Sequence, residues 1–163
     1  MSAIDDYLDN NTAYAAEFSS GDLGIPPTDK IAVVACMDAR LDMGALLGLD
    51  KGAAHIIRNA GGVVTEDVIR SLAISQCLLG TREIMLVHHT DCGMLGFTDA
   101  EMEDAIEKET GTRPAFAMKT FSDVEDDLRR SIAQIQASPV IPHKEVIRGF
   151  VYQVKTGTLR EVR

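Results

Sequence analysis

Residues 31–40 read Ile-Ala-Val-Val-Ala-Cys-Met-Asp-Ala-Arg, an apolar run that ends abruptly in a thiol, a carboxylate and a guanidinium. Small and β-branched residues without polar alternation predict a strand that is buried on both faces of a sheet. In open parallel sheets, ligands bind beyond the carboxyl ends of the strands. Cys36, Asp38 and Arg40 therefore emerge where a functional site is expected.

A second stretch repeats this design. Residues 83–93 read Glu-Ile-Met-Leu-Val-His-His-Thr-Asp-Cys-Gly, so another buried strand ends in polar side chains, those of His88, His89, Asp91 and Cys92. Alternation along a strand places His88 on the face opposite His89, where we expect a buried, hydrogen-bonded side chain rather than a ligand. Two strands thus deliver reactive side chains to one place.

The remaining segments predict an α/β fold, with a mainly parallel central sheet flanked by helices. Residues 54–58 form a further strand, and a helix follows from its N-cap Thr65 to a stop at Gly80. Strand, helix and strand in so short a span make a βαβ unit, whose strands are parallel. Residues 146–154 and 159–162 predict a terminal hairpin, which gives the sheet a C-terminal antiparallel edge strand.

Further helices are predicted outside the strands described above. Residues 98–101 (Thr-Asp-Ala-Glu) and 122–125 (Ser-Asp-Val-Glu) predict capping boxes that open two further helices. Residues 1–18 predict an N-terminal helical arm, and residues 19–29, with their glycines and prolines, a connector. So short a helix is marginal alone, so we expect the arm to pack on this subunit or on a partner. Cys77, inside an apolar helical stretch, is expected to be a small buried hydrophobe.

Length and composition restrict the class of protein. The 163 residues predict a single domain over 1–163, and a formal charge of -9 disfavours nucleic acid or anionic lipid as the main partner. With no recognisable leader or long apolar run, we expect a cytoplasmic protein without a membrane partner. The 3 cysteines are an odd number, which favours metal binding or reactive thiols over a disulfide framework.

The candidate chemistry centres on Cys36, His89 and Cys92. Two thiolates and an imidazole suit Zn²⁺, and catalytic zinc sites use three protein ligands and leave a fourth position open. The His-x-x-Cys spacing alone is weak evidence, but it becomes strong beside Cys-x-Asp-x-Arg at the end of another buried strand. Asp38 either accepts the proton of a zinc-bound hydroxide in a hydrogen bond, which aims a lone pair at the substrate, or ligates zinc itself in a closed state. A bidentate pairing with Arg40 would hold it away from the metal, whereas a plain surface ion pair is the alternative for these two residues.

These motifs resemble those of the β-class carbonic anhydrases. The match covers the Cys-x-Asp-x-Arg of residues 36–40, the Arg-Asn-Ala-Gly of residues 58–61 and the His-x-x-Cys-Gly of residues 89–93. Met37 and the paired histidines resemble the small, archaeal-type branch. A bicarbonate-inhibited subgroup carries Trp where this chain has Val33, so the resemblance implies an open site here.

The resemblance implies a zinc lyase, a carbonate dehydratase that reversibly hydrates carbon dioxide to bicarbonate and assembles as a homodimer or homotetramer. Cys36, His89 and Cys92 would hold zinc, and Asp38 and Arg40 would form the catalytic dyad. Carbon dioxide is a neutral electrophile, so the reaction needs a nucleophile at neutral pH, which zinc supplies by acidifying bound water.

Two glycines are candidate substrate-binding residues. Gly61 permits a positive φ or a close approach of backbone to ligand, and Gly93 would expose an amide to a bicarbonate oxygen; ordinary turn glycines are the alternative. A carbonyl sulfide or carbon disulfide hydrolase on the same scaffold is an alternative function. A non-catalytic zinc-stabilised binding protein is disfavoured, since it gives no reason for an Asp-x-Arg beside an incomplete ligand set.

Overall fold

A computed structural model describes residues 2–163, so Met1, the first residue of the predicted arm, lies outside the described residues. The strands are β1 (Ile31–Cys36), β2 (Ala54–Asn59), β3 (Glu83–His89), β4 (Val146–Gln153) and β5 (Thr158–Val162). The helices are α1 (Ala3–Ala16), α2 (Met43–Leu47), α3 (Glu66–Cys77), α4 (Asp99–Thr110) and α5 (Val124–Ala137). Two short 3₁₀ turns, Ala60–Gly62 and Gly93–Leu95, follow β2 and β3.

The five strands form one sheet in the order β2-β1-β3-β4-β5. Strand β1 pairs in parallel with β2 and β3, and β3 pairs in parallel with β4. Strand β5 is antiparallel to β4, as the predicted terminal hairpin requires. The predicted α/β class, mainly parallel with an antiparallel C-terminal edge, is confirmed. The carboxyl ends of β1, β2 and β3 therefore meet at one edge of the sheet.

Strand alternation divides the core between the two faces of this sheet. Val34 and Leu86 belong to an apolar cluster that also contains residues of α3 and α5. Val33 and Val87 belong to a second cluster, which includes Cys36 and Cys92. The predicted burial of β1 on both faces is confirmed, and its terminal thiol lies inside the second cluster.

The loop after β2 packs directly on the end of β1. Gly62 has a φ of 70°, and a Cβ there would lie 2.8 Å from the Cys36 amide nitrogen and 2.9 Å from the Ala35 carbonyl carbon. A backbone approach this close, in the left-handed region, is open only to glycine. Gly62 thus sets the distance between the loop after β2 and the end of β1.

Two local predictions were wrong. Helix α5 begins at Val124 with Asp123 as its N-cap, whose side chain accepts from the Asp126 amide; the capping box predicted at residues 122–125 does not form. The box at residues 98–101 is confirmed. Cys77 is exposed, because the buried positions of α3, which include Leu72 and Gln76, lie on another face of the helix.

The predicted arm is a helix, but none of the residues of α1 is buried. Ile4, Tyr7 and Leu8 are each more than half exposed. At its C-terminal end the Lys51 ammonium lies 4.8 Å from the centre of the Tyr14 ring. Most of the apolar surface of α1 therefore has no cover on this subunit.

Within residues 2–163, no helix is both long enough and apolar enough to cross a membrane.

Candidate metal centre and active site

The three predicted metal ligands come together at the carboxyl edge of the sheet. Cys36 ends β1, His89 ends β3 and Cys92 lies in the turn that follows. Their sulfur and nitrogen donor atoms all lie within 4.8 Å of one another, and all three residues are buried. The parallel pairing of β1 and β3 is what brings the two distant segments to one point.

The hydrogen bonding of His89 leaves one ring nitrogen free. Its Nδ1 lies 2.9 Å from the Thr90 carbonyl oxygen. Because a carbonyl oxygen only accepts, Nδ1 carries the proton and Nε2 presents a lone pair. Among residues 2–163 this buried Nε2 has no hydrogen-bond partner. An unsatisfied acceptor in the interior is costly, and a ligand at Nε2 would remove that cost.

The thiols of Cys36 and Cys92 share a hydrogen bond that affects the pKa of each. A hydrogen bond from Cys92 is the main cause that lowers the pKa of the Cys36 thiol, and the Asp38 backbone amide lowers it further. The same bond raises the pKa of Cys92, although the Met94 amide acts in the opposite direction. Each thiol thus receives a hydrogen bond from a backbone amide, which favours the thiolate form that binds metal ions.

This donor set fits zinc. Zinc–sulfur and zinc–nitrogen bonds of about 2.3 and about 2.1 Å place tetrahedral donors roughly 3.5–4 Å apart. Donor atoms within 4.8 Å of one another need only small side-chain movements to hold one ion. Soft sulfur and imidazole donors favour zinc over magnesium or calcium, and three of them leave a fourth position free.

Asp38 and Arg40 form a bidentate pair beside the donors. Arg40 Nε donates to Asp38 Oδ1 at 2.9 Å, and Nη2 donates to Oδ2 at 2.7 Å. The guanidinium holds the pKa of the Asp38 carboxyl well below its usual range. Asp38 Oδ2 lies 3.7 Å from Nε2 of His89, too far for a hydrogen bond. An ionised acceptor is thus held next to the donor set, facing the nitrogen that lacks a partner.

Two arginine contacts of the site were not predicted from sequence. Arg40 Nη1 also donates to Asp91 Oδ2 at 2.7 Å. Arg58 donates from Nε to the Cys36 carbonyl at 2.9 Å and from Nη2 to the Asp38 carbonyl at 2.6 Å. Two features of the sequence could have indicated these contacts. Asp91 lies between two predicted metal ligands, and Arg58 lies near the end of β2.

A cavity of about 420 Å³ opens beside the donors. Cys36, Asp38, Cys92 and the two predicted substrate-binding residues, Gly61 and Gly93, all line it. The rest of the wall is apolar and comes from Met37, Ala60, Met94, Phe97, Met102, Ile106 and Met118. A separate cavity of about 490 Å³ beside α5 has none of the predicted site residues on its wall.

The two glycines of this wall differ. Gly61 has a φ of 77°, and a Cβ there would meet Met94 at 3.0 Å and Phe121 at 3.1 Å. A Cβ at Gly93 would meet no atom within 4 Å. Gly61 is therefore required by the backbone, whereas Gly93 leaves open space at the cavity wall.

Comparison with known proteins gives a consistent result. A sequence profile of the carbonic anhydrase family matches residues 31–159. The chain is 56% identical over 162 residues to β-carbonic anhydrase 1 of Mycobacterium tuberculosis, covering 99% of each chain. The chain belongs to the β-carbonic anhydrase family.

Solved and more distant members of the family extend this likeness. The crystal structure of carbonic anhydrase from Streptococcus mutans matches with a TM-score of 0.95 and 43% identity, covering 100% of this chain and 99% of that one. A carbon disulfide hydrolase of Acidithiobacillus thiooxidans is 32% identical over 158 residues, covering 85% of this chain and 79% of the hydrolase. The relatives of this chain are therefore named for two different substrates.

Proposed function

We propose that this protein is a zinc-dependent carbonic anhydrase, a lyase that reversibly hydrates carbon dioxide to bicarbonate. One observation carries the proposal. Two buried thiols and a free imidazole nitrogen lie within 4.8 Å of one another, beside a carboxylate that Arg40 binds through both oxygens. Membership of the β-carbonic anhydrase family supports the same activity.

In this proposal Cys36, His89 and Cys92 hold the metal. A zinc ion in this site would supply a nucleophile at neutral pH, by lowering the pKa of a water molecule bound to it. Asp38, ionised by its pairing with Arg40, would accept a hydrogen bond at Oδ2 from the nucleophile and so orient the attacking lone pair. In a closed state Asp38 would itself ligate the metal, and its two bonds from Arg40 oppose that movement.

The cavity wall suits a small neutral substrate. Apolar side chains admit carbon dioxide and exclude the water that would compete for its place. We assign the Gly93 backbone amide to bind a bicarbonate oxygen, since Gly93 lines the cavity and a Cβ there would meet no atom within 4 Å. Gly61 is assigned to substrate binding by its place on the same wall.

A second candidate activity is the hydrolysis of carbonyl sulfide or carbon disulfide. Four of the residues that line the cavity are methionines, whose polarisable thioethers suit sulfur-containing substrates. The relative from Acidithiobacillus thiooxidans, named as a carbon disulfide hydrolase, supports this alternative. A non-catalytic zinc protein is disfavoured, because it gives no role to the bidentate hydrogen bonding between Arg40 and Asp38.

Stopped-flow hydration of carbon dioxide by the zinc-loaded protein tests the proposal. Sulfide release from carbonyl sulfide and carbon disulfide is measured in parallel. We expect rapid hydration, which Cys36→Ser and Cys92→Ser abolish together with zinc binding. Cys77→Ser is the matched control, since this exposed thiol lies outside the site and its loss should change neither quantity. Sulfide release without hydration would instead establish the second candidate.

We propose a homodimer or homotetramer as the working assembly. The support is helix α1, which has no buried residue although Ile4, Tyr7 and Leu8 are apolar. A helix of this length gains its stability from packing, and a second copy of the chain would supply the missing surface.

Three further assignments are also proposals. Met37 and the paired His88 and His89 support the small, archaeal-type branch of the family. The chain is proposed to be a single domain over 1–163, since all five strands join one sheet. Three free cysteines support a cytoplasmic location.

A further inference from the structure

The guanidinium of Arg40 has two carboxylate partners. Besides its bonds to Asp38, its Nη1 donates to Asp91 Oδ2 at 2.7 Å, and its Nη2 donates to the Asp91 carbonyl oxygen at 2.9 Å. All three guanidinium nitrogens therefore have acceptors, and those acceptors come from the loops after β1 and β3.

Asp91 meets Arg40 from an uncommon backbone conformation. Its φ of 57° lies in the left-handed region, which non-glycine residues rarely adopt and which Asp and Asn tolerate best. In this conformation the side chain and the carbonyl oxygen of one residue accept from the same guanidinium. His89 and Cys92 flank Asp91 in sequence, so the turn that carries it is anchored by two of the predicted metal ligands.

The orientation of Arg40 matters because Asp38 is near the donors. Asp38 Oδ2 lies 3.7 Å from His89 Nε2, so a modest rotation would bring the carboxylate into the donor set. Among residues 2–163, both carboxylate oxygens of Asp38 accept hydrogen bonds from Arg40 alone: Oδ1 from its backbone amide and Nε, and Oδ2 from Nη2. The Arg40 side chain is 47% exposed, and an exposed arginine held at one end would lose that orientation to rotamer freedom.

We propose that Asp91 is a positioning residue, which holds the Arg40 guanidinium so that Asp38 serves as a hydrogen-bond acceptor rather than as a fourth protein donor to the metal. The inference rests on the proposed carbonic anhydrase function. It gives Arg40 a second anchor, from a loop 51 residues away in the chain. Without that anchor, Asp38 closes the site.

Two variants separate this role from a role in folding. Asp91→Asn keeps the shape and the tolerance for positive φ but weakens the acceptor. Asp91→Gly removes the side chain and relieves the backbone strain. Asp104→Asn is the matched control, because its side chain is 71% exposed against 75% for Asp91, and it accepts from Arg113 Nη1 at 2.6 Å rather than from an arginine of the metal site. Asp104 is not among the residues that line the cavity.

Three assays are run on each variant. The first gives the zinc content, and the second gives kcat and KM for carbon dioxide. The third follows the binding of thiocyanate to the cobalt-substituted protein by visible absorption. We expect unchanged zinc content, an unchanged KM and a kcat reduced on the order of fivefold in Asp91→Asn, with a larger loss in Asp91→Gly. Thiocyanate binding should weaken, because Asp38 then competes for the open metal position. Loss of a negative charge alone would strengthen anion binding, so the direction of the change identifies the cause.

Thiocyanate binding that is unchanged or tighter in both Asp91 variants overturns the proposal. Loss of zinc in parallel with kcat also overturns it, since that would show a structural role only. So does an equal effect of Asp104→Asn. If the parent protein fails to hydrate carbon dioxide, the proposed function falls, whereas the cobalt titration still decides the role of Asp91.

Discussion

Replacing Gly62 by Ala should disrupt the metal site through the backbone. The new Cβ would lie 2.8 Å from the Cys36 amide nitrogen, closer than real Cβ atoms come, so β1 or the loop after β2 must move. A non-glycine residue in the left-handed region costs about 1–2 kcal/mol, and overpacking of this kind adds about 1–3 kcal/mol. The lower entropy of the unfolded chain returns about 0.4–1 kcal/mol, which leaves a net loss of about 1–5 kcal/mol.

The assay is urea unfolding of the zinc-loaded protein at one fixed protein concentration, with zinc content measured on the same samples. Gly80→Ala is the matched control, because Gly80 has a φ of 76° but a Cβ added there would meet no atom within 4 Å. The control isolates the backbone cost, and Gly62→Ala should exceed it by about 1–3 kcal/mol and also lose zinc. Equal losses of stability in the two variants would refute the reasoning.

Four other predictions concern Arg40, the pH dependence of turnover, Asp99 and helix α1. Arg40→Lys should keep zinc but lose most turnover, because an ammonium cannot bind both oxygens of a carboxylate, whereas Arg113→Lys on the surface should leave turnover intact. Turnover should rise between about pH 7 and about pH 9, since two thiolates offset the metal's charge and make its bound water less acidic; a flat profile contradicts this. Asp99 accepts hydrogen bonds from Thr120 that lower its pKa, so its stabilisation is present above its unfolded pKa of about 3.9 and is lost at lower pH. Asp99→Asn should therefore reduce the free energy of unfolding at neutral pH, by about 1–2 kcal/mol, and by less near pH 3, in urea titrations at both values. Tyr7→Glu on α1 should shift the protein toward monomer in light scattering after size exclusion, and an unchanged mass would count against the role of this helix.

The elements of this fold were predictable because each carries its own local signal. The unbroken apolar run of β1 predicts a strand buried on both faces, and the Thr98 and Glu101 pair predicts the start of α4. The start of α5 was misplaced by one residue, because Asp123 and the preceding Ser122 are both good N-caps and only the three-dimensional fold selects between them.

Part of the candidate site was also predictable from local sequence, namely the residues at the ends of strands. The ends of two buried strands identify Cys36 and His89, since strand ends in a parallel sheet converge. The cavity wall was not predictable, because Met102 and Met118 come from α4 and an irregular loop whose path no local pattern fixes. Nor could the sequence show that Arg40 is shared with Asp91, because that contact depends on the positive φ of one turn residue.

Successive side chains of β3 point to opposite faces of the sheet, so its two adjacent histidines have different roles. His88 faces Asp127, with its Nε2 2.9 Å from the carboxylate, while His89 faces the cysteines. Both are imidazoles, so side-chain chemistry does not distinguish them; the odd or even count of residues along the strand does. Deleting one residue within β3 would exchange the two rings, and the segment should tolerate substitutions far better than changes of length.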